Sequence, residues 1–427
     1  MLRVVRVLPS CARDWHRSAV LAVGLVFVLR CAAGYGDPVM INEDWWVLFE
    51  DHLWGRDLGC LVRPYAGYVS FGPRLLGWAA SFLPAGATCF ALAWAAGCIG
   101  AVALGWLASP RFAILLPDPR ARAFVAVTLA MLPVGNAALL CAAMFSHWHM
   151  LFALCLMTVA RPPETRRGRA CELVVGGICA WSHPLALLLA PAFAWRAWTA
   201  EATADRRHYA ALTLLVLAYA AFGMDGSATM ASPGETLKAS AGLWTNSVVP
   251  ALLMTSETHF ALQEYGVSGW WMLLPPLVLL GGLCRAPALA QVRVPLLALF
   301  AAAVLVSVGT AASRWATEQK LLFASPRYVY VPSLLLAAVA TIAALRAAGL
   351  RARLVGCVLA LHVLALHSHA TQRRYAVRPV SNGRVVAFAH TVKAWAREPG
   401  PAGEARRLAL PGRAYEVVRP ALGPDPR

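Results

Sequence analysis

Long apolar runs, separated by short polar segments, recur along the first 370 residues of the chain. They predict eleven membrane-spanning helices, at about 18–35, 86–108, 123–143, 148–160, 171–182, 184–198, 209–224, 269–284, 294–312, 328–345 and 354–370. A straight span needs about 20 residues, and the fourth, fifth and sixth runs are shorter. Pro184 lies between the fifth and sixth runs and would break a continuous helix, so the two are either separate spans or one broken element.

Composition agrees with this pattern. Only 14% of the 427 residues are charged, well below the roughly 25% of an average soluble domain, and the mean hydropathy is +0.60. We therefore predict an all-α polytopic membrane protein, with a transmembrane domain at 1–370 and a short tail at 371–427. The net charge of +17 comes from arginines spread over many short gaps rather than from one basic module. That distribution argues against a nucleic-acid partner.

Basic and acidic residues occupy alternate polar segments. One set of segments carries Arg3, Arg6, Arg13, Arg17, Arg111, Arg120, Arg122, Arg161, Arg166, Arg167, Arg169, Arg206, Arg207, Arg285, Arg293, Arg346, Arg351 and Arg353. The other set carries most of the acids and includes the long segments 36–85 and 225–268. By the positive-inside rule the first set is cytoplasmic. The rule predicts that the N-terminus lies inside and the tail outside. Because many further apolar runs follow the first one, we expect an uncleaved first helix rather than a signal peptide.

The eleven cysteines are scattered along the chain and lie mostly inside apolar runs, as Cys98, Cys141 and Cys179 do. They form no Cys-x-x-Cys motif and no Cys/His ligand spacing. We interpret them as small apolar packing residues and expect no disulfide framework.

The first predicted outer loop concentrates carboxylates beside large aromatic residues. Its acids are Glu43, Asp44, Glu50, Asp51 and Asp57, and they alternate with Trp45, Trp46, Phe49 and Trp54. If 43–54 is a helix, the first four acids fall within an arc of about 120°. One interpretation is a solvated acidic loop. The other is a sugar site at a membrane surface, because aromatic faces stack on sugars and a carboxylate accepts hydroxyl protons.

Two apolar segments in the outer loops are too short to span a membrane. Pro73 suits the first turn of a helix at 73–84, whose apolar surface we expect to lie in the membrane interface. The stretch 243–254, broken by Pro250, is interpreted as a second interfacial element.

Four stretches carry recognisable motifs: "RPYAGYVSFGPRLLGWAASFLP" at 63–84, "SHWHMLFALCLMTVARP" at 146–162, "WSHPLALLLAPAFAWR" at 181–196 and "SPRYVYVPSLLLAAVA" at 325–340. They resemble bacterial integral-membrane proteins related to GT-C glycosyltransferases, which often show an acidic segment, then "PYxGY", then "PR" and a Leu/Ala helix ending in Pro. The resemblance in architecture covers about 18–370. It implies a GT-C-like fold, interfacial helices in the first outer loop and a sugar donor on polyprenyl phosphate. It also implies a catalytic acid in "NEDWW", either Glu43 or Asp44.

Further residues are candidates for substrate binding. They are Trp45, Trp46, Trp54, Glu50, Asp51, Tyr65, Tyr68, Arg74, His147, His149, His183 and Arg327. Arginine binds phosphate through paired donors, although the same arginines could contact lipid headgroups. His147 and His149, two positions apart, do not share a helix face and give a weak metal signal, whereas His183 could cap a helix or line a cavity. The only cofactor considered is a divalent cation near Glu50 and Asp51.

Four functions remain open at this point. The first is a glycosyltransferase whose partners are a lipid-linked sugar and membrane lipids. The others are a transporter or flippase, a polymerase or ligase of surface polysaccharide, and an inactive scaffold. A transporter should carry ionisable residues deep in its spans, whereas the acids here gather outside them. No P-loop, dinucleotide fingerprint, HExxH or GxSxG occurs, which argues against soluble nucleotide chemistry.

Overall fold

The computed structural model describes residues 9–32, 35, 58–65, 67–83, 85–132, 134, 137–224, 231–253, 269–324, 326–347, 405–410 and 413–418. The α-helices of these residues, numbered in chain order, are α1 (Pro9–Arg30), α2 (Phe71–Ala80), α3 (Ala85–Gly105), α4 (Pro119–Met131), α5 (Ala137–Cys141), α6 (Ser146–Met157), α7 (Arg166–Ala180), α8 (Ala190–Thr199), α9 (Thr203–Phe222), α10 (Pro233–Leu243), α11 (Val249–Leu253), α12 (Leu274–Arg285), α13 (Arg293–Ala324) and α14 (Pro326–Arg346). Short 3₁₀ segments lie at Leu58–Val62, Trp106–Ala108, Pro110–Phe112, Pro184–Leu189, Gly269–Leu273 and Pro287–Leu289, and a π-helical turn at Trp244–Val248 joins α10 to α11.

Besides helices, turns and connecting segments, the described residues include one β-hairpin near the C-terminal end of the sequence. Its strands are β1 (Ala405–Leu410) and β2 (Arg413–Val418). They pair antiparallel, with Ala405 opposite Val418 and Leu410 opposite Arg413.

Helix α6 lies at the centre of the helical assembly. It packs against α2, α3, α7, α13 and α14, and all its side chains except that of the half-buried Ala153 are buried. Its sequence, SHWHMLFALCLM, has no charged residue on any face, and a helix that is apolar all round is stable only when it is surrounded. The residues at its N-terminus, including two histidines, are therefore enclosed by neighbouring helices.

Close packing of α1 against α3 depends on glycine. A Cβ at Gly105 would lie 2.8 Å from the Cα of Val20, and one at Gly97 would clash with the ring of Tyr35. Small residues at such positions let helix backbones approach in lipid. Gly97, Ala101 and Gly105 recur at a spacing of four residues, and Ala101 is also buried in the core.

Arginines hold one end of the helical assembly together, which we call the Arg end. Arg111 pairs with Glu172 at 2.8 Å, and Arg169 pairs with Asp205 at 2.7 Å. Arg346 donates to the carbonyl of Leu115 at 2.7 Å, which ties the end of α14 to the segment before α4. The segments predicted to be cytoplasmic thus meet at one end.

Three of the described helical segments are long and apolar enough to cross a membrane, namely Phe90–Ala108, Arg293–Ser313 and Arg327–Arg346. A shorter apolar helical segment runs from Gly269 to Arg285. Other predicted spans differ from the observed helices. The span predicted at 123–143 is not continuous, since α4 ends at Met131 and α5 begins only at Ala137. The predicted span 354–370 lies outside the described residues.

Four predictions about local structure can be compared with the observed helices. The segment 313–327, which separates the ninth and tenth predicted spans, is largely helical. Helix α13 continues to Ala324 because no proline or glycine interrupts it after Gly309. The break expected at Pro184 is confirmed, since residues 181–183 form a turn and Pro184 begins a 3₁₀ segment. The helix expected at 73–84 is confirmed as α2, with Pro73 in its first turn. The apolar stretch 243–254 is also helical as far as Leu253.

Candidate functional site

A short segment crosses the end of the assembly opposite the Arg end. We call this segment, residues 69–72, the strap, and its last two residues, Phe71 and Gly72, begin α2. A tight turn precedes it, in which Tyr65 and Tyr68 exchange backbone hydrogen bonds of 2.8 and 3.2 Å. Gly67 in this turn has a φ of 86°, a conformation that L side chains rarely adopt. The "YAGY" motif therefore needs its glycine to reverse the chain ahead of the strap.

Hydrogen bonds fasten the strap to two helices. The amide of Val69 donates to the carbonyl of Gly223 at 2.8 Å, just after α9. The hydroxyl of Tyr219, on α9, donates to the carbonyl of Val69 at 2.9 Å. The amide of Phe71 then donates to the carbonyl of Trp181 at 3.0 Å, just after α7. These bonds satisfy backbone groups that would otherwise be buried without partners.

The strap passes against α6 at Gly72. Its amide donates to the Oγ of Ser182 at 2.8 Å. A Cβ at this position would lie 2.5 Å from the Sδ of Met150 and 2.6 Å from the Oγ of Ser182. Only glycine fits between α6 and the turn after α7, so this residue brings the strap to the N-terminal half of α6.

Two histidines and a tryptophan meet below the strap. The rings of His147 and His183 have centroids 4.8 Å apart, and those of Trp148 and His183 are 4.3 Å apart. The ring of Tyr68 lies 6.4 Å from that of His183, and Tyr328 lies 6.1 Å from Trp148. All five side chains are buried. Residues from four distant parts of the chain therefore form one aromatic and imidazole cluster, which we call the His cluster.

His183 has its orientation fixed by the backbone. Its Nδ1 accepts the amide of Leu185 at 3.1 Å and caps the 3₁₀ segment that begins at Pro184. Because Nδ1 accepts this hydrogen bond, the proton of the neutral ring is on Nε2. The capping role considered for His183 is thus present, and the imidazole offers a donor to the cluster.

Arg327 adds a positive charge beside the His cluster. Its guanidinium lies 4.8 Å from the ring centroid of Tyr328 and 5.4 Å from that of Phe145. It also donates to the hydroxyl of Tyr328 at 2.9 Å. Phe145 in turn lies 6.3 Å from the ring of His147. Stacking on two aromatic rings holds the planar guanidinium in a defined place.

His149 belongs to a different environment. Its Nδ1 lies 3.0 Å from the hydroxyl of Tyr330, inside the helical assembly, and its ring contacts Phe27. His147 and His149 therefore face different neighbours, as their spacing predicts. Within the described residues, no group of three or more His, Cys, Asp and Glu side chains could hold a metal ion.

Among the described residues, several buried polar atoms near these side chains have no hydrogen-bond partner. They include the Oγ of Ser70 on the strap, the Oγ of Ser146 at the start of α6 and the Nε1 of Trp148 in the His cluster. Each of these residues is at most 3% exposed. A buried polar group that makes no hydrogen bond costs about 1–3 kcal/mol, so such groups gather where a polar ligand binds. Sequence reasoning missed all three, although Ser146 and Trp148 flank the predicted His147.

The remaining predicted residues have different outcomes. Arg74 is buried on the first turn of α2, directly after the strap. The proposed catalytic pair Glu43 and Asp44 lies outside the described residues, as do Trp45, Trp46, Glu50, Asp51 and Trp54. The segment that contains them is joined at both ends to described residues at the strap end. Tyr35 donates to the carbonyl of Leu140 at 3.0 Å near the start of α6, and the segment Leu58–Val62 packs against α2.

The described part of the site thus combines aromatic faces, imidazole donors and guanidinium groups. Such a set suits a ligand that has both negative charge and hydroxyl groups, because guanidinium binds anions and aromatic faces bind sugar rings. No family model, curated protein or solved structure matches this chain. Within the described residues, the fold is that of a helical protein with three helices able to cross a membrane and a buried polar cluster at one end.

Proposed function

We propose that this protein is a GT-C-like membrane glycosyltransferase. It moves a sugar from a polyprenyl-phosphate donor to an acceptor on the outer face of the bacterial cytoplasmic membrane. The observation that carries the proposal is the His cluster with Arg327 beside it, at the end of the assembly where the acid-rich segment 36–57 begins and ends. In the proposed reaction, the guanidinium binds the phosphate, the aromatic rings bind the sugar, and an acid of the segment 36–57 serves as the base.

Each chemical step has candidate residues. Arg327 and Arg74 bind the phosphate through paired N–H donors. His183 donates from Nε2, and the aromatic rings of the cluster and of the acid-rich segment shape the sugar site. Glu43 or Asp44 accepts the proton of the acceptor hydroxyl, and such a general base contributes about 10²–10⁴-fold in rate. Polyprenyl phosphate leaves when the sugar is transferred, so the protein needs neither a nucleotide nor a covalent nucleophile.

The proposal includes a topology with eleven spans, the Arg end in the cytoplasm and the strap end outside. Two observations support it. The arginines of the predicted cytoplasmic segments meet at one end and are separated from the strap by the length of α7 and α9. Exposed tryptophans lie near both ends, with Trp195 and Trp198 on α8 and Trp270 and Trp271 before α12. Tryptophan prefers the two interfaces of a membrane.

A transporter or flippase is the alternative, and one observation favours it. His149 and Tyr330 form a polar pair deep among the helices, and an ionisable residue inside a membrane bundle is commonly part of a transport pathway. A polymerase or ligase of surface polysaccharide would use the same outer face as the transferase. The acceptor chemistry separates these two enzymes.

The experiment is a transfer assay in membranes. Its donor is a polyprenyl-phosphate hexose that carries a radioactive sugar. Glu43→Gln and Asp44→Asn keep side-chain shape and remove one charge each. Glu164→Gln is the matched control, since Glu164 is an exposed acid near the Arg end.

We expect one of the two first-loop variants to lose transfer, while the control keeps the wild-type rate. If both variants transfer sugar at the wild-type rate, the catalytic assignment is wrong. If the wild-type protein leaves every such carrier intact and moves a solute instead, the transporter is the correct function.

A further inference from the structure

An apolar groove lies on the surface of the assembly between α7 and α9. The two helices run side by side in the same direction, because Arg169 pairs with Asp205 at the Arg end and the Nε1 of Trp181 donates to the carbonyl of Leu215 at 3.1 Å nearer the strap end. The groove has a volume of about 730 Å³, within the range of about 300–1,000 Å³ that is typical of ligand sites. Its lining residues are hydrophobic and include Leu173, Val174, Gly177, Ile178, Leu214 and Leu215.

Glycines determine the shape of the groove. At Gly176 the two helices are in contact, because an added Cβ would lie 2.7 Å from the Cδ2 of Leu212. One position further along α7, a Cβ added at Gly177 would meet its nearest neighbouring atom at 3.7 Å, an ordinary van der Waals distance. Gly177 therefore leaves space that a larger side chain would occupy. Val174 and Leu214 are 64% and 67% exposed, so the groove is open along its outer side.

The strap end of the groove is aromatic. Phe71 and Trp181 line it there, and the last residue of α9, Phe222, is 77% exposed. From Leu173 to Trp181 the groove follows the axis of α7 for about 12 Å, at 1.5 Å per residue. This end suits the inner part of a hydrocarbon chain rather than a charged group.

Arginines lie beside the other end of the groove. They are Arg166 and Arg167 on the first turn of α7 and Arg207 on α9, and all three are exposed. At 100° per residue, Arg166 and Arg167 fall within the arc of about 140° that the lining residues of α7 cover, and Arg207 falls within the arc of about 100° that those of α9 cover. Arg207 precedes the first lining residue of α9, Ala211, by about 6 Å along the axis. Positive charge and apolar groove therefore share the same helix faces.

We propose that this groove binds one acyl chain of an anionic diacyl phospholipid, whose phosphate lies against Arg166, Arg167 and Arg207. Three helices of the protein are long and apolar enough to cross a membrane, which supplies such a lipid. Basic pockets between helices bind anionic lipid headgroups, and guanidinium groups donate charge-assisted hydrogen bonds to phosphate. The lipid site is independent of the proposed transferase activity, and of which face of the membrane the Arg end occupies.

The shape of the groove separates it from ordinary lipid-facing surface. Helix α12 also exposes apolar side chains, those of Leu274, Leu277 and Val278. On that helix, however, an added Cβ at Gly281 or Gly282 meets nothing within 4 Å, so the surface there is open and has no second wall. A chain between α7 and α9 contacts both helices, and the arginines favour a headgroup of net negative charge over a zwitterionic one.

The test uses the full-length protein in nanodiscs of phosphatidylcholine that contain a small fraction of a probe lipid. One probe is phosphatidylglycerol with a photoreactive diazirine in an acyl chain, and the matched probe is phosphatidylcholine with the same chain. After illumination, mass spectrometry of the peptides locates and counts the cross-links. The exposed apolar face of α12 reports ordinary lipid contact. We expect the phosphatidylglycerol probe to label the groove much more strongly than α12, and the phosphatidylcholine probe to label the two surfaces alike.

Two variants test the chain site and the headgroup site separately. Gly177→Leu fills the groove and should reduce its labelling to the level of α12, whereas Gly234→Leu, where an added Cβ also meets nothing within 4 Å, should leave it unchanged. Arg207→Gln changes only an exposed side chain and should lower labelling by the phosphatidylglycerol probe about fivefold, the effect of one arginine near an anionic lipid. The matched Arg17→Gln, an exposed arginine on α1, should have no effect on the groove.

Three results would overturn the proposal. The first is equal labelling of the groove and of α12 by the phosphatidylglycerol probe. The second is labelling at the wild-type level in both Gly177→Leu and Arg207→Gln. The third is competition by polyprenyl phosphate but not by unlabelled phosphatidylglycerol, because the groove would then hold the sugar carrier rather than a bilayer lipid.

Discussion

The replacement Gly72→Ala tests how the strap is held against the helices. The added Cβ would lie 2.5 Å from the Sδ of Met150, 2.7 Å from its Cε and 2.6 Å from the Oγ of Ser182. Ordinary contacts of this kind are about 3.5 Å, so each overlap is close to 1 Å. The Met150 side chain can turn away. The Ser182 hydroxyl is held by a bond from the amide of Gly72 and by its own bond to the carbonyl of Ile178, so it has less freedom to move.

The expected loss of stability combines two effects. Overpacking costs about 1–3 kcal/mol, and weakening the hydrogen bond from Gly72 to Ser182 costs about 1 kcal/mol. The variant should therefore lose about 2–4 kcal/mol of unfolding free energy. The control is Gly281→Ala on α12, where an added Cβ meets nothing within 4 Å. Alanine is favoured over glycine inside a helix, so the control should be as stable as the wild type or more so.

The assay is thermal unfolding of the purified protein in mild detergent, followed with a fluorophore that reacts with buried thiols as they become accessible. Cys155 and Cys179 are both buried and report on the helical core. Gly72→Ala should expose them at a clearly lower temperature than Gly281→Ala does. Unfolding of the two variants at the same temperature would show that the strap does not pack against α6 and Ser182 as described.

Three further predictions concern other parts of the fold. Glu172→Gln removes the charge that pairs with Arg111 at the Arg end and should cost about 2–3 kcal/mol in the same unfolding assay, whereas the exposed Glu164→Gln should be neutral. Tyr219→Phe removes the buried hydrogen bond to the strap and should cost about 1 kcal/mol. An equal stability of wild type and Tyr219→Phe would show that this bond contributes nothing. Hydrogen bonds from the hydroxyl and the amide of Ser232 hold the pKa of Glu235 below its usual value, so the bonds to the Glu235 carboxylate in the capping box of α10 are present at neutral pH and are lost as the pH falls through the folded-state pKa. Amide exchange at Ser232, whose N–H donates to the Glu235 carboxylate, should accelerate over that range once corrected for the intrinsic pH dependence, and unchanged protection would contradict the assignment.

Local structure was predictable where one residue decides it. Pro73 fits only the first turn of a helix, and α2 begins at Phe71. Pro184 ends one helical segment and begins the next. The extension of α13 to Ala324 was missed because the polar residues after Ser313 suggested a loop, whereas nothing in that stretch breaks a helix.

The arrangement of the site was not readable from the sequence. His147 and His183 were both candidates, but their ring contact depends on the packing of α6 against the turn after α7. The unpartnered hydroxyls of Ser70 and Ser146 are visible only once burial is known.

The account depends on one spatial relationship, between a phosphate site and the acid-rich segment. In the proposed mechanism, the His cluster and Arg327 supply the groups for the phosphate, and the segment 36–57 supplies the acids. If the phosphate binds elsewhere, the proposed roles of Glu43 and Asp44 lose their physical basis.

The measurement that tests this most directly is a structure of the protein in a lipid nanodisc with added polyprenyl phosphate. The account predicts density for the phosphate within hydrogen-bond distance of Arg327 or of the Nε2 of His183, at the strap end. Phosphate density at the Arg end, beside Arg111 and Arg169, would contradict it. So would a strap end that binds no phosphate while saturating carrier is present.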